Sequence, residues 1–129
     1  MKSIAFLFSL YALTFAFAQC GGSSPLKPSQ FTPEGTLLIV FAAAQNGDYE
    51  SLRNLCDPLH QNDGDTRSIC NAGDKPAEFV AYFSKAELKG KATISGIKAE
   101  VPFLFGPNGT QTETMNMVKR GEKWYLISF

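Results

Sequence analysis

Histidine and tryptophan are the scarcest residues of this chain, with one of each among 129 residues, and there are three cysteines. Twelve basic side chains balance twelve acidic ones, so the formal net charge is zero. This balance gives no electrostatic argument for a nucleic-acid partner or an anionic membrane surface, and we expect neither. No Ser-His-Asp, Cys-His or glycine-rich phosphate signature is present. We therefore expect no cofactor, no metal and no catalytic set.

The first 24 residues have the layout of a secretory signal. Lys2 supplies a positive start, residues 4–17 form an apolar run interrupted only by Ser9 and Thr14, and a small-residue pattern ends at Ala18. This run is shorter than the ~20 residues that a membrane-spanning helix needs. We predict a signal peptide over residues 1–19 and an exported protein.

Two ways of cutting this signal stay open. In one, Cys20 carries a lipid, and residues 20–30 are the flexible Gly/Ser/Pro-rich tether of a bacterial lipoprotein. In the other, cleavage after Ala18 releases a soluble protein that begins at Gln19. The Cys-Gly-Gly-Ser-Ser run resembles the start of many bacterial lipoproteins, whereas Gln19 is unusual immediately before a lipidated cysteine. The expected location is the bacterial periplasm or, through a lipid tether, the membrane surface; otherwise the protein is secreted.

Two further cysteines, Cys56 and Cys70, form an even pair if Cys20 is lipidated. In an oxidising compartment we expect them to form a disulfide, which would stabilise the fold by about 3 kcal/mol. A zinc site made by this pair and His60 is the alternative, but it lacks a second histidine and a Cys-x-x-Cys spacing. Residues 62–65 resemble a calcium loop but lack its alternating oxygen ligands, so we predict a solvent-exposed turn there.

Residues 31–129 show helical patterns first and strand patterns afterwards, which predicts a single α+β domain. Thr32-Pro33-Glu34 is typical of a helix start, and Asn46-Gly47 of a helix end. Short helices are predicted to begin at Asp48 and Pro76. We predict antiparallel strands over residues 92–98, 100–105, 110–119 and 123–129, with a tight turn at Asn108-Gly109.

This order of elements resembles the nuclear transport factor 2-like fold, a cystatin-like cone. The resemblance rests on Thr32-Pro33-Glu34, on Asn-Gly-Asp-Tyr-Glu at 46–50, and on Met-Val-Lys-Arg-Gly-Glu-Lys-Trp-Tyr-Leu-Ile at 117–127. Small secreted bacterial proteins and lipoproteins, many of unknown function, carry this domain. The resemblance implies N-terminal helices packed on a curved antiparallel sheet, with a cavity at the wide end of the cone.

The residues expected to line that cavity are apolar or aromatic: Phe41, Tyr82, Phe103, Met115 and Trp124. Acid–base candidates are few. The only histidine, His60, lies in the polar loop and is expected to face solvent, and Glu113 and Asn116 project from opposite faces of one strand.

The favoured function is a non-catalytic domain of the bacterial cell envelope that is lipid-anchored and binds a small apolar ligand or a protein partner. A homodimer is also expected, because exposed sheet faces in this fold often mediate dimerisation. Two alternatives stay open. One is a small lyase or isomerase that uses an acid or base in the cavity, and the other is a structural assembly module.

Overall fold

The computed structural model describes residues 26–129. The helical elements come first: α1 (Pro33–Asn46), a 3-10 turn (Glu50–Leu52), α2 (Gly64–Cys70), a second 3-10 turn (Ala72–Asp74) and α3 (Pro76–Phe83). The strands follow: β1 (Glu87–Leu88), β2 (Thr93–Ser95), β3 (Lys98–Phe105), β4 (Gln111–Arg120) and β5 (Lys123–Ser128). The predicted signal peptide, Cys20 and the start of the tether lie outside the described residues.

The strands form one five-stranded antiparallel sheet. Its order is β1-β3-β4-β5, and β2 pairs with the first residues of β3 on the edge that β1 uses further along. Helix α1 packs on β3 and β5 and against α3. The prediction of an α+β domain with helices packed on an antiparallel sheet is confirmed. Among residues 26–129, no helix is both long and apolar enough to cross a membrane.

Helix α1 begins and ends where the sequence predicts. The Thr32 hydroxyl accepts a hydrogen bond from the Gly35 N–H at 3.0 Å, and Pro33 occupies the first helical position. At the other end Gly47 adopts a left-handed φ of 71° and donates its N–H to the Ala43 carbonyl at 2.8 Å. A proline start and a left-handed glycine end match the backbone needs of helix termini, so both boundaries are encoded locally.

The core lies between α1 and the inner face of the sheet. Leu37 and Val40 of α1 have no exposed surface, and Phe41 is 6.1 Å from Phe103, centroid to centroid. The inner sheet face supplies further residues without exposed surface: Val101, Phe103, Met115, Met117 and Leu126. Because α1 is apolar on nearly all sides, it fills this face of the sheet.

Three local predictions differ from the structure. The helix predicted from Asp48 is only one 3-10 turn, in which the Asp48 carboxylate accepts from the Ser51 N–H at 3.4 Å. The strand predicted over 92–98, with a bulge or bend at Gly96, is two strands, because Gly96 adopts a φ of 60° in a turn between β2 and β3. Short strand β1 was not predicted, since two residues carry no periodic signal.

The prediction of a solvent-exposed turn at 62–65 is only partly correct, because Gly64 and Asp65 are exposed but form the start of α2. Asp63 is the N-cap of α2, and its carboxylate accepts from the Thr66 N–H at 2.8 Å, while Asn62 is only 7% exposed. Asp and Asn favour turns and N-caps for the same reason, because their short side chains hydrogen-bond nearby backbone N–H groups. The helix that follows was missed because it is short and mostly polar, with only Thr66, Ile69 and Cys70 buried.

Candidate functional site

The Cys56–Cys70 disulfide is present, with a Cα–Cα distance of 6.2 Å, and this prediction is confirmed. The bond joins the segment after α1 to the last residue of α2. Both sulfur atoms are used in it, which leaves the zinc alternative with His60 without thiolate ligands. Disulfides persist in oxidising compartments, so the bond indicates such an environment for this domain.

The disulfide-bonded segment covers the outer edge of β5. The Leu126 N–H donates to the Leu55 carbonyl at 2.7 Å, and the Asp57 N–H donates to the Leu126 carbonyl at 3.2 Å. Further along the same edge, the Asp63 N–H donates to the Ile127 carbonyl at 2.8 Å. An open strand edge invites pairing with another chain, and these bonds close that edge.

A buried ion pair holds the same segment to the β4–β5 hairpin. The Asp57 side chain has no exposed surface. Two guanidinium nitrogens of Arg120 donate to its carboxylate, Nε to Oδ1 and Nη2 to Oδ2, each at 3.2 Å. The backbone N–H groups of Leu59 and Gln61 also donate to this carboxylate, at 3.1 and 3.4 Å.

These contacts decide the protonation state of Asp57. Burial by itself would raise the pKa of this carboxyl, but the hydrogen bonds from Arg120, Leu59 and Gln61 and the guanidinium charge hold the pKa below its usual value. Asp57 is therefore an ionised anchor. Sequence reasoning missed the pair, because no local pattern joins two residues 63 positions apart.

Two clefts open on the two sides of α2. The first, which we call the aromatic cleft, has a volume of about 640 Å³ and lies between α2, α3 and the ends of β3 and β5. Five aromatic side chains line it: Phe79, Tyr82, Phe83, Phe105 and Phe129. Five charged side chains surround them: Asp65, Arg67, Asp74, Lys75 and Glu78. The cleft thus has an apolar floor and a rim that carries both positive and negative charges.

The aromatic floor is tightly packed. Phe83 lies at its centre, with ring centroids 5.3 Å from Phe79, 5.6 Å from Phe105 and 6.1 Å from Phe129. Tyr82 lies beside Phe105 at 6.2 Å and is 40% exposed. Offset and edge-on ring pairs of this kind stabilise one another, so the floor is formed before any ligand arrives.

Only one of the five residues predicted to line a cavity lies at this cleft. Tyr82 lines it, whereas Phe41, Phe103, Met115 and Trp124 are at most 4% exposed and pack in the core. The reason is the apolar helix α1, which fills the inner face of the sheet and displaces the open space towards α3. A ligand-binding role for these five residues stays a prediction.

The second cleft, which we call the polar cleft, has a volume of about 560 Å³. The disulfide forms part of its wall, and four basic side chains line it: Arg53, His60, Arg67 and Lys123. The other lining residues are mostly amides or polar groups: Gln30, Asn54, Asp57, Pro58, Asn62, Asn71 and Tyr125. Its character is opposite to that of the aromatic cleft, although Arg67 lines both.

The acid–base candidates from the sequence do not meet in one place. His60 is exposed, as expected, and belongs to the polar cleft, whereas Tyr82 belongs to the aromatic cleft. Glu113 is exposed on β4, and the Asn116 amide donates to the Ser128 hydroxyl at 3.0 Å. Neither Glu113 nor Asn116 lines either of the two clefts described above.

No protein-family model matches this chain, and no curated protein matches it significantly. Among solved structures, a Campylobacter jejuni protein described as a "Putative NTF2-like transpeptidase" is similar, with a TM-score of 0.49 and 17% sequence identity. The similarity covers 74% of this chain and 96% of that chain. Likeness at this level carries no information on chemistry. The helix-on-sheet architecture described above agrees with the nuclear transport factor 2-like fold that the sequence resembles.

Proposed function

We propose that this protein is a non-catalytic binding domain of the bacterial cell envelope, whose aromatic cleft holds the apolar part of a small amphipathic ligand. The observation that carries the proposal is the cleft itself. Its volume of about 640 Å³ falls inside the range of small-molecule sites, roughly 300–1,000 Å³, and five aromatic side chains line it.

The chemistry of the ligand follows from the division of the cleft into floor and rim. Aromatic side chains favour an apolar body, because burying apolar surface on both sides removes it from water. The charged rim, with Asp65, Asp74 and Glu78 against Arg67 and Lys75, suits a polar head group that stays close to solvent. A purely apolar ligand would leave this rim unused.

Two observations support binding over catalysis. The charged side chains of the rim are exposed to solvent and do not lie on the apolar floor, where a general acid or base would have to meet a bound substrate. Asp57, the acid with a clearly lowered pKa in the described part of the chain, lines the polar cleft and is held ionised by Arg120. The alternative lyase or isomerase would need an acid or base with a displaced pKa facing the aromatic floor.

The envelope location is supported by the disulfide and by the sequence before the domain. The Cys56–Cys70 bond is typical of an oxidising compartment, and residues 20–30 have the composition of a flexible tether. Lipidation of Cys20 would hold the domain at the membrane surface, and cleavage after Ala18 would release it.

A native mass spectrum of the protein purified from its own cell envelope tests the whole proposal. We expect a mass raised by a diacylglycerol-type modification at Cys20, lowered by two hydrogens for the disulfide, and accompanied by a bound small molecule that dissociates on activation. A mass that starts at Gln19 would refute lipid anchoring alone. No bound species in repeated preparations would count against the ligand.

Titration with N-phenyl-1-naphthylamine, a neutral fluorescent apolar probe, tests the location of the site. We expect Tyr82→Ser to weaken binding of the probe about tenfold, since it removes an exposed part of the aromatic floor. Ile94→Ser is the matched control, because Ile94 is also exposed, at 55%, but does not line the cleft. Equal affinities for the parent and the Tyr82 variant would place the probe elsewhere.

A further inference from the structure

The polar cleft concentrates positive charge in a chain that is neutral as a whole. Among residues 26–129 the ion pairs are Arg53 with Glu50, at 3.3 Å, and Arg120 with Asp57. Arg67 and Lys123, which line the cleft, are therefore without a carboxylate partner within the described part of the chain. The acid in the wall, Asp57, is already neutralised by Arg120, so it does not cancel their charge.

Asn62 adds a neutral donor to the wall of the cleft. The residue lines the polar cleft and is 7% exposed. Its amide is not a sealed group without a partner, because among the described residues the buried side-chain atom that lacks a hydrogen bond is the Thr66 hydroxyl oxygen. An amide carries two N–H donors, so Asn62 can add directed hydrogen bonds to the attraction of the two cations.

The backbone on both sides of Asn62 is fixed. On one side, the Gln61 N–H donates to the Asp57 carboxylate at 3.4 Å, and on the other the Asp63 N–H donates to the Ile127 carbonyl at 2.8 Å. The Cys56–Cys70 disulfide closes the same wall. A donor held in place by its surroundings binds without a large ordering cost, which is the usual advantage of a preorganised site.

We propose that the polar cleft binds an oxyanion, the carboxylate or phosphate group of a small polar solute, between Arg67, Lys123 and the Asn62 amide. The cations supply attraction, and the amide N–H groups supply direction, since charge-assisted hydrogen bonds to oxyanions are short and strong. This site is distinct from the aromatic floor and does not depend on the proposed function. An apolar ligand would leave both charges and the amide unpaired.

Two-dimensional NMR of the full chain tests the site, with inorganic phosphate and acetate as probes and sodium chloride at matched ionic strength as the reference. We expect the side-chain signals of Asn62 and Arg67 to shift in a saturable way with at least one oxyanion and not with chloride. Tighter binding of phosphate than of acetate would indicate a phosphorylated solute, and the reverse order a carboxylic acid. Shifts that do not saturate, or that chloride reproduces, would refute the site.

Variants separate binding from folding. Asn62→Leu should weaken oxyanion binding about tenfold, because it removes the amide donors, and the Tm of the variant measures any effect on folding. Lys123→Gln should weaken binding about two- to fivefold, in line with the modest value of an exposed charge, and Lys91→Gln, an exposed lysine outside the cleft, should not.

If Asn62→Leu binds the oxyanion as well as the parent does, the amide is not part of a site. A lowered Tm for Asn62→Leu would assign the amide to folding, and Asn62→Ala then repeats the measurement with a smaller side chain. Loss of affinity in Lys91→Gln equal to that in Lys123→Gln would reduce the effect to net charge alone.

Discussion

Replacing Arg120 with Gln leaves the Asp57 carboxyl group without its counter-charge, in a position with no exposed surface. Removing one partner of a buried pair costs about 3–5 kcal/mol. We expect a smaller loss than this, about 2–3 kcal/mol, because Arg120 is 25% exposed, so water can enter, and the Leu59 and Gln61 N–H groups remain as donors. For a domain of this size, that loss lowers the Tm by about 10–20 °C.

Urea unfolding followed by circular dichroism at pH 7 measures this loss. Arg53→Gln is the matched control, since Arg53 also bonds a carboxylate at 3.3 Å but the two side chains are 70% and 77% exposed. An exposed pair contributes at most about 1 kcal/mol, so the control should stay close to the parent. Equal, small losses in both variants would refute the argument that burial makes the Asp57 pair important.

The effect also has a definite pH dependence. The pKa of Asp57 is lower in the folded state than in the unfolded chain, so the unfolded chain binds more protons in acid. The stability that the ion pair contributes is therefore fully present above the ordinary range of an aspartate, about pH 4, and is lost as the pH falls through the folded pKa. The difference in the free energy of unfolding between the parent and Arg120→Gln should become smaller below about pH 4. If this difference became larger in acid, Asp57 would not be the ionised partner of Arg120 in the folded protein.

Three further predictions rest on other parts of the chain. Reducing the Cys56–Cys70 disulfide should lower the Tm by about 10 °C or more, given about 3 kcal/mol for a loop of this length; the Cys56→Ser/Cys70→Ser variant should not respond to reductant. Gly109→Ala should lower the Tm more than Gly121→Ala does. Both glycines have a left-handed φ, but only at Gly109 would a Cβ meet a backbone atom, the Lys85 carbonyl oxygen, at 2.6 Å. Thermal melts of the two variants measure the difference. The homodimer stays a prediction, and light scattering over a dilution series that shows only monomer would contradict it.

The parts of the fold that sequence predicts correctly are those encoded by neighbours in the chain. Thr32-Pro33 and Asn46-Gly47 fix the ends of α1, and the strand predicted over 110–119 matches β4 (Gln111–Arg120) to within one residue. The disulfide was predictable as well, because an even pair of cysteines in a chain with a predicted export signal has few other uses. Each of these predictions needs only a short window of sequence or the number of cysteines.

The candidate sites could not be predicted in the same way, since they depend on contacts between distant residues. Asp57 meets Arg120 across 63 positions, and the polar cleft is lined by both Asn62 and Lys123. The cavity itself was expected around Phe41 and Phe103, but the apolar helix α1 fills that space. Whether a helix fills the concave face of a sheet depends on the packing of many side chains, which no periodic pattern reports.

One stretch of chain, residues 55–70, determines both clefts. It closes the outer edge of β5 through Leu55 and Asp57, and it is fastened to the rest of the molecule by the disulfide and by the ion pair with Arg120. Its last part, α2, separates the aromatic cleft from the polar cleft, and Arg67 lines both. Reduction of the disulfide should therefore weaken binding at both clefts together, whereas Tyr82→Ser should affect only the aromatic cleft and Lys123→Gln only the polar one. If reduction changed neither affinity, the Asp57–Arg120 pair and the edge hydrogen bonds would be sufficient to hold this stretch in place.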